Sequence, residues 1–379
     1  MNRFKVGTIL QLPGWSFYEK HMPSYTNDTK EDIIEKEVII KSFAILDIAI
    51  VVNHVVVAPQ VVKYYILYDN PNDSKKANQS LSILKCLLHS DIILNFSKYA
   101  HHELVMPRTK RPLYTIMNFI VDSYGEESEA SIPTTIGVDT NNHHIIADFA
   151  KLPHMLIAGE TGGGKSVLLN AIITSLLCKK FPMYLRMIMI DTKNTELSLY
   201  KNIPFLDAPI ITSFDQAHNI LTKMSNILDS RYDFLEKAGV RDISVTSMPR
   251  YLIIIDELAD LMLSHKTLIE PVVVRLAQLG RAAGIHLLIA TQRPTVNVVT
   301  GLIKANMPAR VALKTVSYRD SMTIIDYKGA ETLTGHGDCL VKLPNTTEIT
   351  RCQVPFVSEE FINSICDYWK GKDCIAEKK

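Results

Sequence analysis

None of the six cysteines (Cys86, Cys178, Cys339, Cys352, Cys366, Cys374) forms a CxxC pair. That excludes the ligand spacing of a zinc ribbon and the regular framework of a disulfide-stapled domain, and it predicts a reducing compartment. Long apolar runs are missing as well. The opening MNRFKVGTILQLPGW holds no stretch that could serve as a signal peptide. The most apolar N-terminal region, VIIKSFAILDIAIVV (38–52), is interrupted by Lys41 and Asp47, short of the roughly 18 unbroken apolar residues of a spanning helix. These absences predict a cytoplasmic protein with no membrane insertion. Bulk charge of one sign is also lacking, with 41 Lys and Arg against 40 Asp and Glu, so any nucleic-acid surface must be a local arrangement. One local absence fits: from Pro271 to Arg319 there is no acid, while Arg275, Arg281, Arg293, Lys304, Arg310, Lys314 and Arg319 all occur. Solvated helix faces are the plain alternative reading of such a stretch.

The 379 residues suffice for two or three domains. Residues 1–32 are polar and turn-rich, a loose lead-in. From 33 to 121 a helical pattern (EDIIEKEVIIKSFAIL), a β-rich run (HVVVAPQVVKYYILYD), a second helical pattern (ANQSLSILKCLLHS) and a short strand at HELVMP predict a small α+β domain. The polar segment DSYGEESEASIPTT (122–135) reads as a linker. Beyond it, over 136–357, HMLIAG, LRMIMID, YLIIIDE, IHLLIAT and ARVALKT read as buried strands of a mainly parallel sheet separated by crossover helices, hence an α/β domain. Residues 358–379 form a last helix and tail.

GETGGGKS, Gly159 to Ser166, fits GxxxxGK[ST] and stands between a strand and a helix, where phosphate binding requires it. The backbone of Gly159, Glu160, Thr161, Gly162, Gly163 and Gly164 can curl its N–H groups around phosphate oxygens at the positive end of a helix. Lys165 is placed to reach the β- and γ-phosphates and Ser166 to hold Mg²⁺. In YLIIIDELADLM, Asp256 and Glu257 end an apolar strand at the sheet edge where α/β folds bind ligands. Asp256 suits a Mg²⁺-holding role and Glu257 a base for attacking water. A helix that begins with acids is the alternative for any isolated DE pair. No NKxD element for guanine and no HRD-type catalytic loop is present, so ATP is the expected nucleotide.

In order along the chain, LPHMLIAGETGGGKSVLLNAII, LRMIMIDTKNTELSLY, RYDFLEKAGVRDI, YLIIIDELADLM, RLAQLGRAAGIHLLIATQRPTVNVVTGLIKANMPARVAL and GAETLTGHGDCL closely resemble the blocks of the FtsK/SpoIIIE DNA translocase family. VVVAPQVVKYYIL and VMPRTKRPLYTI are similar to the small domain that precedes its motor. The resemblance spans about residues 45–357. It implies a RecA-like P-loop NTPase motor that forms a ring, a homo-hexamer, around double-stranded DNA and converts ATP hydrolysis into movement. By the same resemblance Gln292 senses the γ-phosphate and Arg281 points into a neighbouring subunit's ATP. Arg293, Lys304 and Arg310 are the expected DNA contacts. Asp191, Lys193 and Glu196 support the site from behind. Each has a structural alternative: a surface pair for Arg281, strand-end capping for Gln292, a solvated helix position for Lys304.

The chain departs from the family where SSKIDSRTILD reads VSYRDSMTIID: Tyr318 replaces a lysine and Met322 an arginine. No membrane-spanning region is expected before the motor and no winged-helix module after it. By analogy that suits a plasmid, phage or integrative element. Two other readings stay open: a coupling or secretion ATPase of a mobile element, working with a membrane-anchored or relaxosome partner, and a nucleotide-gated DNA-binding protein.

Overall fold

The computed structural model describes residues 11–21, 34–58, 61–95, 102–108, 114–122, 132–344, 346 and 348–372. The chain divides into two compact units, residues 23–114 with 138–144, and residues 1–22, 115–137 and 145–379. Thr115–Gly137, divided in the sequence reading among the small domain (to 121), the linker (122–135) and the start of the α/β domain, clusters with the larger unit; most of the expected linker lies outside the described residues.

The lead-in is corrected where it can be described. A short helix α1 (Trp15–Glu19) belongs to the larger unit, with Tyr18 buried and its hydroxyl donating to the Cys178 carbonyl at 3.2 Å. An aromatic anchor of this kind carries no periodicity that a polar segment would reveal.

The smaller unit begins with α2 (Lys36–Ala44), followed by β1 (Ile50–Val57), β2 (Val61–Tyr68), α3 (Asp73–Gln79), α4 (Leu81–Leu87), β3 (Ile93–Asn95) and β4 (His102–Pro107). The apolar run 38–52 is thus the end of a helix and the start of a strand, parted by Asp47 in a left-handed conformation. Four strands pair antiparallel in the order β1-β2-β4-β3. Ile39, Phe43, Tyr64, Leu84 and Leu104 close its core.

The larger unit continues with α5 (Ile116–Asp122), β5 (Pro133–Asp139), β6 (His144–Asp148), β7 (His154–Ala158), α6 (Lys165–Lys179), β8 (Leu185–Ile190), α7 (Phe214–Ala238), β9 (Arg250–Ile255), α8 (Leu258–Leu279), β10 (Ile285–Thr291), α9 (Gly301–Ala305), β11 (Ala309–Leu313), α10 (Tyr318–Ile325), β12 (Asp338–Lys342), β13 (Thr350–Gln353) and α11 (Glu359–Lys370). Its nine strands run in the order β6-β5-β13-β12-β11-β7-β10-β9-β8. The five strands read from the sequence as parallel are parallel neighbours, β11 to β8 through β7, β10 and β9. β12 and β13 extend that sheet in antiparallel sense.

Burial on both faces explains the unbroken apolar strands. Met155 and Ile157 of β7 pack with α6 and α11 on one side, while Leu156 packs with α7 and α8 on the other. α7 places Ala217, Leu221, Met224, Leu228 and Leu235 inward at helical spacing. Its start is capped by Ser213 and it ends at left-handed Gly239. α11 seats Trp369 in the same core, its indole N–H donating to the Leu177 carbonyl at 2.8 Å. Among the described residues no helix is long and apolar enough to cross a membrane.

Candidate nucleotide-binding site

Three adjacent parallel strands assemble the site. β7 runs into Gly159–Gly164, β9 into Asp256 and Glu257, and β10, between them, into Gln292. All three ends lie on one sheet edge because parallel strands share a direction.

Close approach dictates the glycines. A Cβ on Gly159 would stand 2.6 Å from the Leu313 Cβ and 2.9 Å from the Lys314 carbonyl. Gly164, the N-cap of α6, has φ +110°, and a Cβ there would meet the Gly337 nitrogen at 2.6 Å. Gly337 donates its N–H to the Gly163 carbonyl at 3.0 Å. The turn Gly335–His336–Gly337, all at positive φ, therefore packs directly on the phosphate-binding turn. The sequence reading quoted this block but assigned it no role, since nothing local says which turn it meets.

Lys165 is 4% and Asp256 2% exposed. The ammonium donates to Asp256 Oδ1 at 2.5 Å and to the Asp256 carbonyl at 2.9 Å. Burial lifts the Asp256 carboxyl above its ordinary range, although Lys165 pulls the other way and Asp191 and Glu196 add to the rise. The half-buried Ser166 hydroxyl has no hydrogen-bond partner among the described residues.

Glu257 is more engaged than its sequence reading implies. As the N-cap of α8 its Oε1 accepts from Ala259 N at 3.2 Å and from Thr291 Oγ1 at 2.6 Å. Its Oε2 accepts from Gln292 N at 2.9 Å. One carboxylate thus ties the end of β9 to the end of β10. Gln292 in turn accepts from the Thr161 hydroxyl at 2.8 Å through Oε1. The chain Glu257–Gln292–Thr161 joins carboxylate, strand end and phosphate-binding turn. Thr291 was given no role in the sequence reading; the signal was a hydroxyl closing a largely apolar buried strand.

Asp191 stands buried behind the site. Its Oδ2 accepts from Glu196 N and Leu197 N, both at 2.9 Å, while Oδ1 has no partner among the described residues. Lys193 lies 3.8 Å from Asp260, and Glu160 lies 3.5 Å from Lys314.

Arg281 is exposed and precedes β10, so it sits at the opposite sheet edge. Six residue steps of strand, about 20 Å, separate it from its own phosphate-binding turn. The basic residues also part company. Arg293 is exposed at the strand end. Lys304 and Arg310 instead converge on Asp326, each at 2.6 Å, with Lys342 at 3.4 Å. Burial would raise the Asp326 carboxyl, but bonds from Lys304 and Arg310 outweigh it and hold the group down to about 2. Arg310 additionally donates to the Met307 and Lys304 carbonyls.

No cluster of three His, Cys, Asp or Glu side chains among the described residues could hold a metal ion by itself. The donors at the turn, one hydroxyl and one carboxylate, suit a magnesium ion that arrives with phosphate oxygens and keeps its waters, not a resident metal.

A parallel α/β sheet carrying this turn, a buried lysine and a strand-end carboxylate pair defines a P-loop ATPase. The sequence profile of the FtsK/SpoIIIE family matches residues 116–250 and 245–296, and the chain belongs to that family. It is 34% identical over 378 residues to DNA translocase FtsK 2 of Neisseria meningitidis, covering 90% of this chain and 37% of that protein. It is 42% identical over 260 residues to DNA translocase FtsK of Campylobacter jejuni, covering 66% of this chain and 28% of the relative. The chain thus spans about a third of the length of these relatives. Among solved structures, the pCW3 conjugation coupling protein TcpA superposes with a TM-score of 0.62 at 23% identity, over 88% of this chain and 98% of that one. The cytoplasmic domain of the type VII secretion ATPase EccC of Thermomonospora curvata gives 0.59 at 20% identity, over 69% and 35%. Both share the fold.

Proposed function

We infer that the chain is an ATP-driven motor that moves double-stranded DNA through a ring of its own copies. The observation that carries this reading is the Glu257–Gln292–Thr161 connection. It gives the strand end that leads to exposed Arg293 a direct mechanical link to the phosphate-binding turn. The names of the curated relatives, DNA translocases, support the same reading.

In this mechanism Gly159 to Gly164 cradle the phosphates and Lys165 leaves Asp256 to neutralise them. Ser166 and Asp256 are the residues that would hold Mg²⁺, which supplies charge neutralisation at the transferred phosphoryl group. Glu257 orients the attacking water and accepts its proton. A γ-phosphate competing for Gln292 breaks its bond to Thr161, and the released strand end carries Arg293 with it. Arg281, too far from its own turn, serves the neighbouring copy's nucleotide, which makes the ring a requirement of turnover. Arg293 and Lys304 meet DNA phosphates; Arg310, held by three internal bonds, braces Lys304.

The test is ATP turnover with and without duplex DNA, beside displacement of a triplex-forming strand with ATP or with a non-hydrolysable analogue. Turnover stimulated by duplex and displacement with ATP alone are expected. Turnover indifferent to DNA refutes the motor.

A further inference from the structure

The corner formed by α9, α10 and the turn after it combines two features that a duplex-phosphate surface does not need together. The first is concentrated positive charge. Lys304, Arg310 and Lys342 gather on the single carboxylate of Asp326, and Lys328 adds a fourth cation 5.1 Å from the centre of the Tyr318 ring. Arg319 is exposed beside it. The other two acids of the segment are committed elsewhere: Asp320 caps α10 through Ser317, and Glu331 accepts from Gly329 N at 2.8 Å.

The second feature is exposed flat and polarisable surface. Tyr318 is 47%, Tyr327 57% and Met322 39% exposed. Tyr318 and Met322 are one turn apart on the same face of α10, and the Met322 carbonyl accepts from Lys304 Nζ at 2.8 Å. One cation, Lys328, thus stands at the Tyr318 ring, and Lys304 reaches the α10 backbone one turn further along. Groups that bind only phosphate need neither an aromatic face nor a thioether beside them; bases inside a duplex keep their own faces covered.

We propose that this corner binds an unpaired DNA strand, with Tyr318 stacking a base, Lys328 meeting the adjacent phosphate and Lys342 a phosphate further along the strand. Cationic grooves with aromatic platforms hold single strands in this way, because every base offers a π-face and stacking tolerates any sequence. The cation over the Tyr318 ring orders the side chain before the base arrives. The inference rests on the reading of the chain as a DNA motor and adds, at this corner, a site for a separated strand beside the duplex that the motor moves.

The experiment is fluorescence anisotropy of the full chain, without nucleotide, against labelled oligo(dT) and a duplex of equal length, about 20 nucleotides each. Wild type, Tyr318→Ala and Tyr318→Phe are compared, with thermal melting to verify folding and sedimentation to follow assembly. Tyr318→Ala should weaken oligo(dT) binding about tenfold or more, the loss of one stacked base. Tyr318→Phe should restore it, and neither should alter duplex affinity beyond about twofold. Unchanged oligo(dT) affinity in Tyr318→Ala, a Phe variant as weak as Ala, or equal loss on duplex each overturns the proposal, as does a change of assembly size in its place. Duplex-stimulated ATP turnover in wild type with no oligo(dT) binding overturns this inference and leaves the motor intact. Loss of oligo(dT) binding in Tyr318→Ala without duplex-stimulated turnover in wild type does the reverse.

Discussion

Replacing Glu257 by Gln should do two separable things, because the carboxylate is both a base and a clamp. Its two oxygens accept three hydrogen bonds, from Ala259 N, Thr291 Oγ1 and Gln292 N. An amide has one accepting oxygen and one donating nitrogen. If the oxygen takes the Ala259 and Thr291 side, the Gln292 N–H faces an NH₂ group. If the amide is flipped, Thr291 can rotate its hydroxyl to accept, but the Ala259 N–H is orphaned. Either way one backbone N–H in a largely dry site loses its partner, at a cost of about 1–3 kcal/mol. The lost bonds were to a charge, which favours the upper half of that range. At roughly 2–4 °C per kcal/mol for a unit of this size, the melting midpoint of the larger unit should fall by several degrees. Turnover should fall by about 10²–10⁴ for loss of a general base. Urea unfolding followed by tryptophan fluorescence reads the first effect, since Trp369 lies in the larger unit's core, and steady-state phosphate release reads the second. A variant as stable as wild type but inactive would refute the clamp; one that is destabilised yet turns over normally would refute the base.

Lys165→Ala should abolish turnover and also destabilise the nucleotide-free protein by about 3–5 kcal/mol, since it leaves Asp256 buried without a counter-ion. Because burial already raises the Asp256 carboxyl, that deficit should shrink in urea titrations as pH falls and the group takes up a proton; a deficit independent of pH contradicts the account. Gly164→Ala, whose Cβ would strike backbone atoms of Gly337, should lose binding of a fluorescent ATP analogue, whereas Gly239→Ala, also at positive φ but in open space, should cost only about 1–2 kcal/mol of stability and keep binding. Stability should also fall in mild acid. Burial holds His154 down to about 3, so between there and the unfolded value near 6.5 the unfolded chain binds more protons, and about 2 kcal/mol present at neutral pH is gone by pH 5. His286, lowered by burial and by His154, acts in the same direction. His154→Asn, which keeps an acceptor for the Leu287 N–H, should flatten the difference between urea midpoints at pH 7 and pH 5; an unaltered slope assigns the effect elsewhere.

The parallel strands and the phosphate-binding turn were legible in the sequence because their causes are local. A strand buried on both faces must be apolar throughout, and a turn that wraps phosphate must be glycine-rich whatever surrounds it. That is why HMLIAG, YLIIIDE and IHLLIAT could be read as strands of one sheet, and why Lys165, Asp256 and Glu257 could be chosen from the sequence alone. The run 38–52 shows the limit of the same reasoning: continuous hydrophobicity marks burial, but the change from helix to strand at Asp47 is a backbone conformation that composition does not encode.

What only the tertiary structure decided are the partners. A hydrogen bond from Thr161 to Gln292 spans 131 positions, and the packing of Gly337 on Gly163 joins turns with no common signature. The basic residues of the acid-free stretch were alike in sequence. Folding left Arg293 at a strand end, drew Lys304 and Arg310 to Asp326, an acid just beyond that stretch, and sent Arg281 to the far edge of the sheet. Residue types and short-range pattern determine what each segment is able to do; which segments share a site depends on strand order and crossover, and those are settled only when the sheet closes on its neighbours.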